Sequence, residues 1–258
     1  MNIYGLTDKG MVREANEDCI GISCLKNGIT IAVVCDGMGG AAGGKIASAI
    51  AEETFMTSLV SVADEIEKSK FDGKKIKNAI KESIEKANLA IYQKALSDPS
   101  LRGMGCTLNA VVFCEPKSKI YYANVGDSRL YMIKKREIKQ LSKDHSYVQM
   151  LVDNKEITEE EAAEHPQRNL ITKALGIKEE IEPDIAERRI SLKSETYFLL
   201  CSDGLHGLVP KEKLKKVALS PIGIDEKVFT YIRLANENGG DDNISAILLL
   251  TKESEVGK

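Results

Sequence analysis

Ile29-Thr30-Ile31-Ala32-Val33-Val34-Cys35-Asp36-Gly37 is a β-branched, apolar run preceded by Gly28 and closed by an acid and a glycine. Bounded in this way, it reads as a buried strand. Cys106 to Cys114, Lys119 to Val125, Ser128 to Lys134, Thr196 to Cys201 and Asn243 to Thr251 read the same way. After the first of these strands, Gly44 to Val60 places Ala47, Ile50, Ala51, Thr54 and Phe55 on one helical face. Lys74 to Leu96 does the same with Ile76, Ile80, Ile84, Ala87 and Ile91, so two amphipathic helices follow one another. A run of consecutive strands comes next, then a polar helical stretch near Thr158 to Ala163, then strand again. This is not the alternation of a doubly wound parallel sheet. The order predicts an α+β protein with a mostly antiparallel two-sheet core and helices packed outside.

The 258 residues are 43% hydrophobic and 29% charged, which excludes a disordered or fibrous chain. Lys plus Arg is 36 against 39 Asp plus Glu, a net charge of −3 with no basic block, so nucleic acid is not expected as a partner. No unbroken apolar run approaches the ~18 residues of a membrane span. The first eight residues already carry Asp8 and lack a cationic start. A cytoplasmic protein with no membrane partner is expected. The six cysteines form no C-x-x-C pair and are expected to be buried and reduced. With no repeat or linker, the expectation is a single domain over residues 1–258.

The informative residues are acids at strand ends. Asp36 follows IAVVC, Asp127 follows YYANVG, Asp203 follows YFLLCS and Asp242 precedes NISAILLL, while Asp18 beside Glu17 opens an early strand. Any one alone is an ordinary turn former. Brought together they would repel unless cations neutralised them, and oxygen donors, including a carbonyl such as that of Gly37, select hard ions, Mg²⁺ or Mn²⁺. Two such ions sharing a bridging carboxylate would activate a water for in-line attack on phosphorus. A guanidinium would grip the phosphate, and Arg13, just ahead of Glu17 and Asp18, is the candidate.

Rival phosphate chemistries fail on particular residues. Gly39 to Lys45 fits G-x-x-x-x-G-K, but Ile46 stands where a nucleotide loop needs Ser or Thr for magnesium. No cysteine is followed six residues later by arginine, and D-x-D and G-x-S-x-G are absent. The three histidines, His145, His165 and His206, are too widely spaced for a zinc motif.

Taken together the motifs resemble the type-2C, metal-dependent protein serine/threonine phosphatases (the PPM family) in their compact bacterial form. The resemblance rests on Arg13 to Asp18, Cys35 to Gly40, Gly105 to Leu108, Val125 to Arg129, Lys143 to Ser146, Ile171 to Gly176, Cys201 to Leu205 and Asp241 to Ser245. It implies a four-layer αββα sandwich with helices on both outer faces and a small flap insertion at about 146–170. It also implies two tightly bound Mn²⁺ or Mg²⁺ ions and a third, weaker one. By position Asp36 would bridge the first two, the Gly37 carbonyl would complete one of them, and Asp203 and Asp242 would ligate the second. Asp18 would act through water, Asp127 would serve the third ion, and Arg13 would hold substrate phosphate. Gly39, Gly40, Gly43 and Gly44 would let the backbone turn beside the metals. Met38 stands where animal relatives carry a histidine proposed as proton donor, leaving His145, Asp144 or a metal-bound water for that role. The implied activity is hydrolysis of phosphoserine and phosphothreonine on proteins by a monomer opposing a cognate Ser/Thr kinase. A phosphatase of an anti-sigma-factor antagonist and an inactive phosphoprotein-binding regulator are the alternatives.

Overall fold

In β3 (Ile29–Met38) the run quoted above is buried on both sides from Ile29 to Cys35. Ile31, Val33 and Cys35 face a helical layer, whereas Ala32 and Val34 face a second sheet. That is why the strand shows no polar alternation: both of its faces are interior. The computed structural model describes residues 2–251, without the side chains of 40–42. Met1 and 252–258 of the expected domain lie outside the described residues.

In chain order, β1 (Asn2–Asp8), β2 (Asp18–Cys24) and β3 are followed by α1 (Gly40–Ser61), α2 (Ala63–Lys68) and α3 (Gly73–Ser97). Then come β4 (Gly105–Cys106), β5 (Leu108–Cys114), β6 (Lys119–Val125), β7 (Arg129–Lys134) and β8 (Glu137–Gln140). The short helices α4 (Tyr147–Asp153) and α5 (Glu159–Glu164) precede β9 (Asp184–Arg189) and β10 (Thr196–Cys201). Last come α6 (Asp203–His206), α7 (Lys211–Ala218), α8 (Ile224–Glu237) and β11 (Ile244–Thr251).

The strands form two antiparallel sheets, β1-β11-β10-β7-β8 and β2-β3-β5-β6-β9, with β4 paired to β3. Val34, Phe113, Leu130, Phe198, Leu200 and Leu249 meet between the sheets. Helices α1 and α3 cover one outer face through Ala47, Phe55, Ile80 and Ile84. Leu205, Leu214, Val228 and Tyr231, from α6 to α8, cover the other. Each face buries an apolar stripe that no single layer could hide alone, so the four layers fold as one. The expected αββα sandwich is the observed one.

Several local expectations are corrected. Helix α1 starts at Gly40 rather than Gly44, so Gly43 and Gly44 lie inside it. A Cβ on Gly37 would strike the Gly44 carbonyl, so helix and strand touch backbone to backbone at the point that positions Asp36. Gly39, at φ +119°, makes the turn between them. The stretch Gly43–Lys68 is long and apolar enough to cross a membrane by length and composition. Small and polar residues interrupt it, so it holds no long unbroken apolar run, and Ala47, Ala51, Phe55 and Leu59 pack on the sheet. Cys24 is exposed at the end of the edge strand β2, and Cys19 is half-buried against the helical layer; the other four thiols are buried and all six are free.

Between β8 and β9, residues 146–170 carry α4 and α5. Ser146 caps the first, and Thr158 with Glu161 forms a reciprocal capping box on the second. The Ser146–Ile171 bridge closes the base of this segment.

Candidate active site

Asp36 sits inside β3, paired in register with Asp18 of β2, rather than after the strand as its sequence pattern suggests. Thr107 fixes its backbone twice: the Thr107 amide donates to the Asp36 carbonyl (2.8 Å), and the Asp36 amide donates to Thr107 Oγ1 (3.0 Å). The other sheet delivers Asp203 at the first turn of α6, straight after β10, and Asp242 just before β11. Asp127 comes from the turn between β6 and β7, where Gly126 has φ +100°. Arg13 reaches over from the loop between β1 and β2, its Nη2 donating to Asp242 Oδ2 at 2.7 Å.

Arg13, Asp36, Gly37, Asp127, Asp203 and Asp242 thus line one cup of about 510 Å³. Asp18 does not line it. Buried behind the cup, its Oδ2 accepts from Ser202 Oγ (2.8 Å) and Ser245 Oγ (2.7 Å), whereas its Oδ1 has no partner among the described residues. Ser245 lies in β11 of the opposite sheet and Ser202 directly follows its β10, so Asp18 ties the two sheets together at the mouth of the sandwich. Asn243 is a second residue given no role by sequence. It accepts from the Glu17 amide (2.8 Å) and donates to the Lys9 and Ala15 carbonyls (each 2.9 Å), folding the Arg13 loop over Asp242. Both serines and Asn243 fall inside the matching sequence segments, which is the one signal that marked them.

Two residues considered as proton donors are committed elsewhere. His145 Nδ1 accepts from the Gly126 amide (3.1 Å) and its Nε2 meets Asp184 (3.3 Å), which fixes its tautomer. Asp144 spends its oxygens on Arg129 and Gln140. His206, to which sequence assigned nothing, turns Nε2 to the Asp127 carbonyl (3.1 Å).

The acids perturb one another. Recession in the cup, then Asp18, Asp203, Asp127 and Asp242, hold Asp36 well above the usual carboxylate range. Burial raises Asp203, with Asp242 adding to it. Burial pushes Asp127 up to about 8, helped by Asp203 and Asp144. It pushes Asp18 up to about 7 against the lowering effect of the two serines. Carboxyls whose folded pKa lies above the unfolded value near 3.8 contribute stability below that value and lose it as pH rises through the folded pKa. Chelator-treated protein is therefore expected to melt at progressively lower temperature from pH 5 to pH 8.5, and millimolar Mn²⁺ at pH 8 to reverse the loss. Calorimetry across that series checks it; a melting temperature that is flat or rises with pH would contradict a desolvated acid cluster.

The donor set fits hard divalent ions. It is oxygen only, and Asp203 Oδ1 and Asp18 Oδ1 are buried with no hydrogen-bond partner among the described residues. Among the described residues no three His, Cys, Asp or Glu side chains stand close enough together to hold one ion by themselves. Backbone oxygen and water would complete the coordination, as magnesium-type ions prefer.

Comparison with known proteins gives one answer. The family described as Protein phosphatase 2C matches residues 11–248. The serine/threonine phosphatase stp of Listeria welshimeri is 35% identical over 252 residues, covering 98% of this chain and 96% of its own. The protein phosphatase PhpP of Streptococcus pneumoniae is 34% identical, covering 99% of this chain and 100% of its own. The catalytic domain of the serine/threonine protein phosphatase PstP, solved in complex with 2 manganese ions, superposes with a TM-score of 0.81 at 30% identity, covering 97% and 98% of the two chains.

Proposed function

Because the chain belongs to the protein phosphatase 2C family and is a protein serine/threonine phosphatase, we propose that its acid cup is a divalent metal centre and that Arg13 holds the substrate phosphate. The observation that carries this reading is the convergence of Asp36, Asp127, Asp203, Asp242 and the Gly37 backbone on one cup with a guanidinium at its rim. Asp36, Gly37, Asp203 and Asp242 would hold two Mn²⁺ or Mg²⁺ ions, Asp127 a third, with Asp18 acting through water from behind. Bound there, such ions supply Lewis acidity toward phosphoryl oxygen and a water nucleophile at neutral pH.

The protein's own residues do the rest. Arg13 is half-exposed and pairs with Asp242, so an entering phosphate competes with that carboxylate for the same planar fork. The Thr107 clamp keeps Asp36 aimed into the cup, and the Asn243 clamp holds the Arg13 loop. Met38 has no proton to give, and His145 and His206 are turned to other partners, so the departing serine or threonine oxygen takes its proton from water. The wider substrates are phosphoproteins made by a Ser/Thr kinase in the same compartment. Free thiols throughout support a reducing, cytoplasmic location, where the enzyme would act as a monomer. The complete acid set favours an active enzyme over a phosphoprotein-binding regulator.

Hydrolysis of a phosphothreonine peptide with Mn²⁺, Mg²⁺ or excess chelator tests the reading. Turnover with either ion and none with chelator is expected; turnover indifferent to chelation would sink the metal centre. Arg13→Ala is expected to lower kcat/KM about 100-fold, roughly 2.7 kcal/mol of transition-state stabilisation. Arg13→Lys should recover only part of it, since an ammonium lacks the fork. Wild-type kcat/KM in Arg13→Ala would remove Arg13 from the phosphate site.

A further inference from the structure

The acid cup opens into a cleft of about 790 Å³ that shares Arg13, Asp127, Asp203 and Asp242 with it and runs under α4 and α5. One wall of this cleft is β8, whose Ile138, Lys139 and Gln140 all line it. Strand β8 is the last strand of its sheet, paired to β7 alone. The ladder fixes which of its backbone groups are free. Leu141 donates to the Leu130 carbonyl at 2.7 Å, and in an antiparallel pair hydrogen-bonded and non-bonded positions alternate. In the register Met132↔Lys139 and Lys134↔Glu137, residues 139 and 137 therefore turn their backbone groups to β7. Ile138 and Gln140 turn theirs outward. No partner is found for those outward N–H and C=O groups among the described residues.

The geometry points to β8 as the docking strand for the substrate: an extended segment of the phosphoprotein adds to the β8 edge and is thereby led into the acid cup. This rests on the reading of that cup as the reacting centre. Three observations favour an extended peptide over other occupants. The edge offers alternating donors and acceptors, which a backbone matches and a small ester cannot. The cleft is continuous with the cup. Lys139 and Lys211 also line it without an ion pair among the described residues, and would pair with acidic residues of a phosphoprotein segment. Direction is set by the fold as well: β7 runs away from Asp127, so the Gln140 end of β8 is the end nearer the cup. Tyr131, opposite Gln140, is four residues beyond Asp127, a span of at most about 13 Å at roughly 3.3 Å per residue, because the chain bends at 126–127. The segment that pairs with β8 thus begins within about four residues of the phosphorylated one.

A backbone scan of the substrate tests this directly. Phosphothreonine peptides N-methylated singly at each position on both sides of the phosphothreonine are assayed with the wild-type, Mn²⁺-loaded enzyme. On one side, from about the fourth residue outward, N-methylation at alternate positions is expected to raise KM about fivefold or more, the loss of one net hydrogen bond, with kcat unchanged. Ile138→Pro removes one outward donor without touching the bonds to β7. It should raise KM for the unmodified peptide, and the sensitive N-methyl position should then cost little more, because both changes break the same pairing. KM uniform across the scan, or increases that do not alternate, would overturn strand addition, and this holds even if Ile138→Pro fails to fold. Hydrolysis of p-nitrophenyl phosphate by the wild-type enzyme separates the two failures: no turnover of ester or peptide rejects the cup as the reacting centre, whereas turnover with a flat scan rejects only the docking strand.

Discussion

Asp36→Asn is expected to abolish measurable turnover of a phosphothreonine peptide, a fall of about 1,000-fold or more, while raising the melting temperature of the chelator-treated protein. The two effects have one cause. Asp36 lies among Asp18, Asp127, Asp203 and Asp242, and each of them disfavours its charge. An amide keeps the shape and both Thr107 backbone bonds but removes the charge, so the metal-free fold gains stability at neutral pH by the linkage worked out above. What it loses is a carboxylate that, on the reading proposed above, would hold the divalent ions, and three orders of magnitude correspond to about 4 kcal/mol of transition-state stabilisation. Strain held at a functional site commonly shows this opposition between stability and activity. Kinetics with Mn²⁺ and calorimetry with chelator, run on the same preparation, read the two sides. A variant that keeps a tenth of wild-type turnover would displace Asp36 from the centre of the chemistry. One that melts lower without metal would mean that its charge is already compensated in the fold.

The positions of the acids were legible because each adjoins a strand apolar enough to be recognised from composition, and the chemistry of phosphate then demanded a cation, which led to Arg13. The buried strands β3, β5, β6, β10 and β11 were legible for the same reason. The edge strands Glu137–Gln140 and Asp184–Arg189 were not: each packs little beyond one isoleucine, Ile138 or Ile185, against a core, so most of their side chains are free to be charged. Helices α7 and α8 escaped as well. The first is half lysine around Leu214 and Val217, and the second buries Val228, Tyr231 and Ile232, β-branched and aromatic residues with little helix preference, together with Lys227. Lys227 is tolerated there because its ammonium donates to Tyr197 Oη (2.9 Å) and the Ala218 carbonyl (2.7 Å). The support of Asp18 was invisible for another reason. Ser202 and Ser245 stand 184 and 227 residues away in sequence and meet it only because the two sheets stack. Local pattern reports what a residue must avoid or seek, and only topology reports which partner it finds.

Arg129→Met should cost about 3 kcal/mol of folding stability and lower the melting temperature by roughly 6–12 °C for a domain of this size. Arg129 grips Asp144 with Nη2 (2.7 Å) and Nε (2.9 Å), and its Nη1 donates to Tyr131 Oη (3.1 Å). The Asp144 side chain is only 6% exposed, so methionine, of similar length, would leave a desolvated carboxylate with Gln140 as its remaining side-chain donor. The Arg129 side chain is 24% exposed, which lets some water reach the break and holds the cost to the lower end of the range for buried pairs. Removing both charges should be milder than removing one: Arg129→Met with Asp144→Leu leaves no unpaired buried ion and is expected to recover most of the loss. The pair also bears on the chemistry, since Asp127 precedes Arg129 by two residues and its turn is gripped on the other flank by His145 through the Gly126 amide. The single variant should therefore weaken activation by low Mn²⁺ concentrations more than it lowers turnover at saturation. Urea unfolding of the two single variants and the double variant, with a Mn²⁺ titration of each, reads both parts. A double variant no more stable than Arg129→Met would show that the guanidinium acts by packing between β7 and β8 rather than by neutralising Asp144.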